Sequence, residues 1–510
     1  MIEIMDTTLR DGEQTSGVAF ATPEKLSIAR LLLEELCVDR IEIASARVSE
    51  GEYDSVKKVV RWARDNGHIH KIEVLGFVDN RTSLQWIENA GCKVINLLCK
   101  GSENHCRHQL RKTPQEHLDD IRREIGYANE MGIDVNIYLE DWSNGMRNSP
   151  EYVYFMVDQL QHEKLKRIML PDTLGILNPG ETLRFCTQMI ERYPTIHFDF
   201  HAHNDYDFAV ANVYEAVKAG IQGVHVTING LGERAGNAPL SSVVAVLKDH
   251  NKRSTNVQES KINSVSRLVE TYSGIRIPAN KPVIGDNVFT QVAGIHADGD
   301  NKHNLYYNDL LPERFGRERV YALGKTSGKA NILKNLQQLG IELDAEMMAL
   351  VTKKVIELGD RREMVTIDEL PYIVADVVNS ATDQHLIKVV NYSLSVTNGL
   401  RPMASVKLDI RGEEFEQSAS GDGQFNAISK AMYKIFKKLG KPTPELLDYE
   451  VVIPPGGKTD AIVQTIITWQ FEGKSFRTRG LDGDQTVAAI KATEKMLNII
   501  ESGEIPGKQC

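Results

Sequence analysis

The stretch HAHNDYDFAVAN, residues 201–212, sets His201 and His203 one residue apart at the end of the apolar run IHFDF. Strand side chains alternate faces, so residues at i and i+2 point the same way and can hold one ion between them. Two polar residues closing a strand would read the same, and the stretch alone leaves both explanations open. Other residues able to do chemistry end comparable runs. DTTLRDGEQ brings Arg10, Asp11 and Glu13, NIYLE brings Tyr138 and Glu140, PDT brings Asp172 and Thr173, and NGLGERAGN brings Glu233 and Asn237. Leu75 and Phe77 close EVLGF, and Leu98 lies in INLLC. Each has a bland explanation by itself: Asp172 can cap a turn, Glu140 can be a solvated carboxylate, and Arg10 beside Asp11 can be a rim ion pair worth little.

The elements that carry these residues change that judgement. Apolar runs at 2–8, 40–46, 71–78, 93–99, 134–140, 167–173, 197–203 and 223–228 alternate with amphipathic helical patterns, several opening on Pro and closing on Gly. Eight strand–helix cycles, the last ending in PLSSVVAVLKDH at 239–250, predict a closed (β/α)8 TIM barrel of the α/β class. A doubly wound open sheet would more often carry a Gly-rich phosphate turn after its first strand, and DTTLRDGEQ is not one. Barrel sites form at the C-terminal strand ends, so the charged and imidazole groups above become one constellation. One carboxylate with two same-face histidines is half an octahedral shell, suited to Mg2+, Mn2+ or Zn2+, with room for a chelating substrate. A cation there would polarise a carbonyl oxygen, and Arg10 would share the developing charge.

Beyond the barrel, a mainly helical accessory stretch surrounds the polar loop GIHADGDNKHNLYYNDLLPERFG, and from about residue 386 long alternating strands such as LIKVVNYSLSV and MASVKLDIRGEEFEQSA take over. SGDGQFNAISKAMYKIF and LDGDQTVAAIKATEKML, each a Gly/Asp turn leading into a helix after strands, predict a duplicated α+β tail. The expected domains are a barrel at 1–255, an accessory subdomain at 256–383 and a regulatory domain at 384–510. The 510 residues carry a net charge of −10, which argues against nucleic acid or an anionic membrane as main partner. No apolar run nears the roughly 20 residues needed to span a bilayer. The acidic N-terminus lacks the features of a signal peptide, so a cytoplasmic protein is expected. The six cysteines form no CxxC pair, which favours reduced thiols, and Cys99 and Cys106 with His105 and His108 read as a surface loop rather than a zinc site.

DTTLRDGEQTSG, HAHNDYDFAVAN and NGLGERAGNAPL, in this order on their barrel elements, resemble the metal-dependent aldolase-like barrels that contain the isopropylmalate, homocitrate and citramalate synthases. The resemblance runs nearly the whole chain, since the stretch with GIHADGD and the β-rich tail also occur in isopropylmalate and citramalate synthases. It implies metal ligation by Asp11, His201 and His203, with Asn237 at or just behind the ion. It further implies that Arg10 holds and polarises a 2-oxo acid, Thr173 contacts its carboxylate, Glu140 helps position acetyl-CoA, and Glu233 orients the site. His296 resembles the family's base, with Asp298 and Tyr306 nearby, on a segment that reaches the neighbouring subunit's active site and so implies a homodimer. The reaction implied is a Claisen-type condensation of acetyl-CoA with the ketone, followed by thioester hydrolysis. NGLGERAGN lacks the cysteine that superfamily lyases carry there, which weighs against cleavage of 3-hydroxyacyl-CoA.

The ketone's alkyl group has to fit a pocket. Leu75, Leu98 and Tyr138 stand where they could fill it, and the contexts EVLGFVD and NIYLEDWSN resemble the pyruvate-using citramalate synthases. Isopropylmalate synthases, using 2-oxoisovalerate, usually carry His and a smaller polar residue at the positions of Leu75 and Tyr138. By the same resemblance the tail binds an amino-acid effector, Ile or Leu. A silent, amino-acid-sensing barrel is the reading from a different class, and the intact Arg10, Asp11, Glu140, His201, His203 and His296 argue against it.

Overall fold

Each of the eight apolar runs forms a strand: β1 Glu3–Asp6, β2 Arg40–Ser45, β3 Ile72–Phe77, β4 Val94–Lys100, β5 Asp134–Glu140, β6 Arg167–Asp172, β7 Phe198–Ala202 and β8 Gly223–Val226. Neighbours pair in parallel and β1 closes on β8, with Glu3 opposite Gly223, giving the expected closed barrel. This computed structural model describes residues 1–291, 307–324, 326–360, 386–452, 463–482 and 484–503, with isolated positions 299, 305, 370, 373, 374 and 377. The chain divides into two compact units, Met1–Phe289 with Tyr307–Arg319, and Thr290–Tyr306 with Val320–Cys510.

Barrel strands are covered on both faces, and alternation assigns each face its chemistry. In β2, Ile41 and Ile43 join the apolar shell beneath the helices, while Arg40 and Glu42 turn inward to meet Asp199 and Asn96. The interior is filled rather than hollow. Met5, Leu75, Tyr138 and Met169 form a separate apolar cluster with Leu98 at its edge, and buried polar side chains lie around it. Gly223 serves this interior, since a Cβ there would meet Asp199 Oδ1 at 2.1 Å. The outer helices start where the sequence signals them. Thr113 caps Pro114–Glu130 with Glu116 reaching back to the Thr113 amide at 2.8 Å, and Asn178 with Glu181 repeats the device at Pro179–Arg192.

In the second unit, β9 Thr290–Gln291 pairs in parallel with β10 Val320–Tyr321, and the helices Lys329–Leu339 and Ala345–Asp360 share a core that includes Ile332, Leu336, Val351 and Val355. Two three-stranded antiparallel sheets follow, β11 Ile387–Ser395, β12 Met403–Ile410 and β13 Glu413–Ser420, then β14 Glu445–Val452, β15 Val463–Phe471 and β16 Lys474–Asp482. A helix follows each sheet, Gln424–Lys438 and Gln485–Ser502, so the duplicated sheet–helix unit read from the tail is present. One core, with Phe436, Trp469 and Met496, serves both sheets. MASVKLDIRGEEFEQSA, expected as one long strand, is instead a hairpin. Arg411 and Gly412 both take positive φ, 56° and 88°, in a tight turn whose twist suits antiparallel strands.

Candidate metal centre and active site

His201 and His203 project from the end of β7 on one face, as i and i+2 must, and Asp11 reaches them from the turn after β1. Asp11 Oδ2 lies 3.4 Å from His201 Nε2 and 3.9 Å from His203 Nε2, and all three residues are buried. Backbone and loop contacts fix the arrangement. Asp11 N donates to Thr7 O, Gly232 N donates to Thr15 Oγ1 at 2.7 Å, and Ile228 N donates to Thr8 Oγ1 at 2.8 Å, tying the turn after β1 to the loop after β8. His203 bridges Asn237, whose amide donates to Leu231 O at 3.1 Å. Gly232 gives that amide its room, because a Cβ there would meet Asn237 Nδ2 at 2.2 Å.

The protonation states suit a cation. Burial pushes the Asp11 carboxyl up, but Arg10, His201, His203 and a hydrogen bond from Asn237 outweigh it and hold the group well below the usual carboxylate range. Burial also carries His201 well below the ordinary imidazole value, against the pull of Asp11, and lowers His203. A carboxylate and two neutral imidazoles thus turn acceptor atoms toward one point, all within 4.8 Å of one another. Asp11 Oδ1, His201 Nδ1 and His203 Nδ1 have no protein partner. The donor set therefore fits a divalent cation, and among the described residues it is the one such group.

Arg10 stands beside it, with Nη1 3.0 Å from Asp11 Oδ2 and Nε 2.6 Å from Glu42 Oε2. Glu42 also accepts from Thr7 Oγ1 and Asn96 Nδ2, both at 2.8 Å, so the Arg10 guanidinium is aimed by a fully buried carboxylate. Leu75, Leu98 and Tyr138, on three successive strands, do meet, and Met5 and Met169 complete their cluster. The Tyr138 ring packs edge-on to His201 at 6.1 Å between centroids, and its hydroxyl lies 2.9 Å from His225 Nδ1.

The other expected residues are placed less centrally. Glu140 pairs with Lys100, and Thr173 Oγ1 accepts from Asp141 N at 2.9 Å. Glu233 is more than half exposed and faces Arg234, which is held by Asp205. Asp172 accepts the backbone N–H groups of Ile176 and Leu177, each at 3.0 Å, which is the turn-capping role. His296, Asp298 and Tyr306 lie outside the described residues. Cys99 and Cys106 do not form a surface loop. Both are buried, Cys99 within β4, and five of the cysteines are free thiols. Sequence reasoning missed Glu42, Asn96, Asp199 and His225. Their one signal is a lone polar residue at the centre of each apolar run: RIEIAS, VINLL, FDF and GVHV.

A closed (β/α)8 barrel with a buried Asp/His/His donor set at the C-terminal ends of its strands defines a barrel enzyme with a divalent-cation centre as its class. Residues 1–269 match the HMGL-like family, 283–363 the homocitrate synthase post-HMGL domain-like family, and 364–501 the LeuA allosteric (dimerisation) domain. A Methanopyrus kandleri protein provisionally named (R)-citramalate synthase is 36% identical over 463 residues, 90% of this chain and 88% of that one. In Methanocaldococcus jannaschii, the (R)-citramalate synthase is 32% identical over 504 residues, 98% of this chain and 99% of that one. The 2-isopropylmalate synthase of the same organism is 32% identical over 505 residues, 98% and 94% of the two chains. The chain belongs to the family of acetyl-CoA-dependent 2-oxo acid condensing enzymes that holds the isopropylmalate and citramalate synthases. None of its described helices is long and apolar enough to cross a membrane.

Proposed function

We propose that this chain condenses acetyl-CoA with pyruvate and water to give citramalate and CoA. The observation that carries the choice of pyruvate is the closed apolar wall of Leu75, Tyr138, Met5 and Met169, with Leu98 at its edge, beside Arg10. A methyl group fits against such a wall, whereas an isopropyl group overlaps it, and overlap discriminates more sharply than a missing methylene. Asp11, His201 and His203, with Asn237 behind them, would hold Mg2+, Mn2+ or Zn2+, which when bound supplies Lewis-acid polarisation of the ketone. Arg10, its pKa raised because Glu42 and Asp11 outweigh the effect of burial, stays cationic and faces the oxygen on which charge develops. Thr173 receives the acid's carboxylate, Glu140 helps position acetyl-CoA, and Glu233 orients the site. His296, with Asp298 and Tyr306 nearby on the segment that each subunit lends to its neighbour's site, takes a proton from the acetyl methyl group. The new C–C bond forms to the ketone carbon, the ketone oxygen gains a proton, and water then cleaves the thioester to release the thiol.

The second reading, 2-isopropylmalate synthesis from 2-oxoisovalerate, draws its support from relatives of both names at 32% identity. We further propose the division into a barrel at 1–255, an accessory subdomain at 256–383 and a regulatory domain at 384–510, a cytoplasmic homodimer, and Ile as effector, with Leu the alternative. The test is thiol release from acetyl-CoA by the purified chain with Mn2+ or Mg2+, comparing pyruvate with 2-oxoisovalerate and repeating with Ile or Leu. Preference for pyruvate supports citramalate formation. Preference for 2-oxoisovalerate replaces it with the second reading, and no release with either acid removes both.

A further inference from the structure

A line of buried hydrogen bonds runs across the barrel behind the pocket wall. Tyr138 Oη lies 2.9 Å from His225 Nδ1, His225 Nε2 lies 3.1 Å from Asp199 Oδ2, and Asp199 Oδ2 lies 2.5 Å from Arg40 Nη2. Arg40 is held from its other side by Glu73 at 2.8 Å. Tyr138, His225 and Asp199 are 3%, 1% and 0% exposed, so water does not compete for these bonds. Asp199 Oδ2 also receives the hydrogen bond from Arg40 Nη2, so it meets His225 as an acceptor. His225 Nε2 then donates to Asp199, and in the neutral tautomer this selects, Nδ1 accepts from the tyrosine. The Tyr138 hydroxyl hydrogen is thereby directed away from the site, and its oxygen faces Arg10, whose Nη2 is 3.5 Å distant.

We infer that His225 is a positioning residue for selection of the 2-oxo acid: it fixes the Tyr138 ring as the wall against which the alkyl group must fit, and Asp199 with Arg40 sets the tautomer that allows this. The inference rests on the condensation reading above. Without His225 the tyrosine hydroxyl has no buried acceptor on that side, and the ring turns to find another partner.

The test uses the full chain with Mn2+ and acetyl-CoA, and compares pyruvate with 2-oxoisovalerate. His225→Phe keeps a ring and removes both hydrogen bonds, His225→Gln restores an acceptor, and Tyr138→Phe removes the donor. The ratio of kcat/KM for pyruvate over 2-oxoisovalerate is expected to fall about tenfold in His225→Phe, through KM for pyruvate and with KM for acetyl-CoA unchanged. Tyr138→Phe should lower the ratio equally, the double variant no further, and His225→Gln should recover most of it. A ratio that stays at the wild-type value in Tyr138→Phe, or losses that multiply in the double variant, overturns the inference. Should His225→Phe not fold, Tyr138→Phe and His225→Gln still decide. A wild-type chain that releases no thiol with either acid brings down the condensation reading first, whereas an active wild type with unmoved ratios in the variants removes this inference alone.

Discussion

Around Arg40, the barrel interior matches each charge with its opposite: Glu73 at 2.8 Å and Asp199 at 2.5 Å hold the guanidinium, and His225 closes on Asp199. At the C-terminal strand ends, Asp11, His201 and His203 instead turn acceptor atoms toward one another, with the imidazoles kept neutral by burial. The first region pairs its charges internally and specifies how the strands pack. The second is arranged for a cation and a substrate, and Asp11 Oδ1, His201 Nδ1 and His203 Nδ1 are left without a protein partner. Substitutions in the two regions should therefore separate stability from metal binding.

The largest expected effect is that of Asp11→Ala. Thiol release should fall about a thousandfold, roughly 4 kcal/mol of transition-state stabilisation. Calorimetric titration with Mn2+ should show binding lost while thermal unfolding stays near wild type. Unchanged metal binding would break the comparison at its functional end. Arg40→Met should do the opposite. Asp199 and Glu73 would be left buried without their partner, costing about 3–5 kcal/mol in denaturant unfolding. The Mn2+ affinity of the folded fraction should hold, and an equal loss there would mean that the two regions are one.

Tyr138→Ser sharpens the boundary between them, since the ring touches both His201 and His225. Opening the wall should raise relative use of 2-oxoisovalerate about tenfold, read as the ratio of the two kcat/KM values. A last effect, read through pH alone, concerns Asp6, a buried acid in neither set, which burial raises to about 7 despite the hydrogen bonds from Thr8. Between its ordinary value and about 7, the folded chain keeps a proton that the unfolded chain releases, so this group's contribution to stability falls as pH rises. Asp6→Asn should gain on wild type in unfolding free energy from about pH 4 to about pH 7. A flat difference across that range would remove the assignment.

The barrel was legible because alternation and helix caps are local signals. IEIMDTT, RIEIASA and HFDFHAH each become a strand within a residue or two of the expected limits. The His201/His203 pair was legible for the same reason, as were Leu75, Leu98 and Tyr138 at strand ends. Glu42 was not. One acid within IEIA says that it faces inward, but its partners Thr7 and Arg10, in the turn after β1, and Asn96, on β4, meet it only once the barrel closes. His225 and Asp199 are hidden in the same way, 26 residues apart in the chain and 3.1 Å apart in the fold. The Arg411–Gly412 hairpin was missed because alternation continues in phase through a two-residue turn, and only the glycine marks it.

The central claim is that the apolar wall beside the cation centre selects pyruvate. Its most direct test offers the Mn2+-loaded chain equimolar pyruvate and 2-oxoisovalerate with limiting acetyl-CoA and weighs the products by mass spectrometry, since competition reads the ratio of kcat/KM values directly. Citramalate in large excess is the predicted result. A majority of 2-isopropylmalate would contradict it and show that Leu75 and Tyr138 leave room for the larger acid.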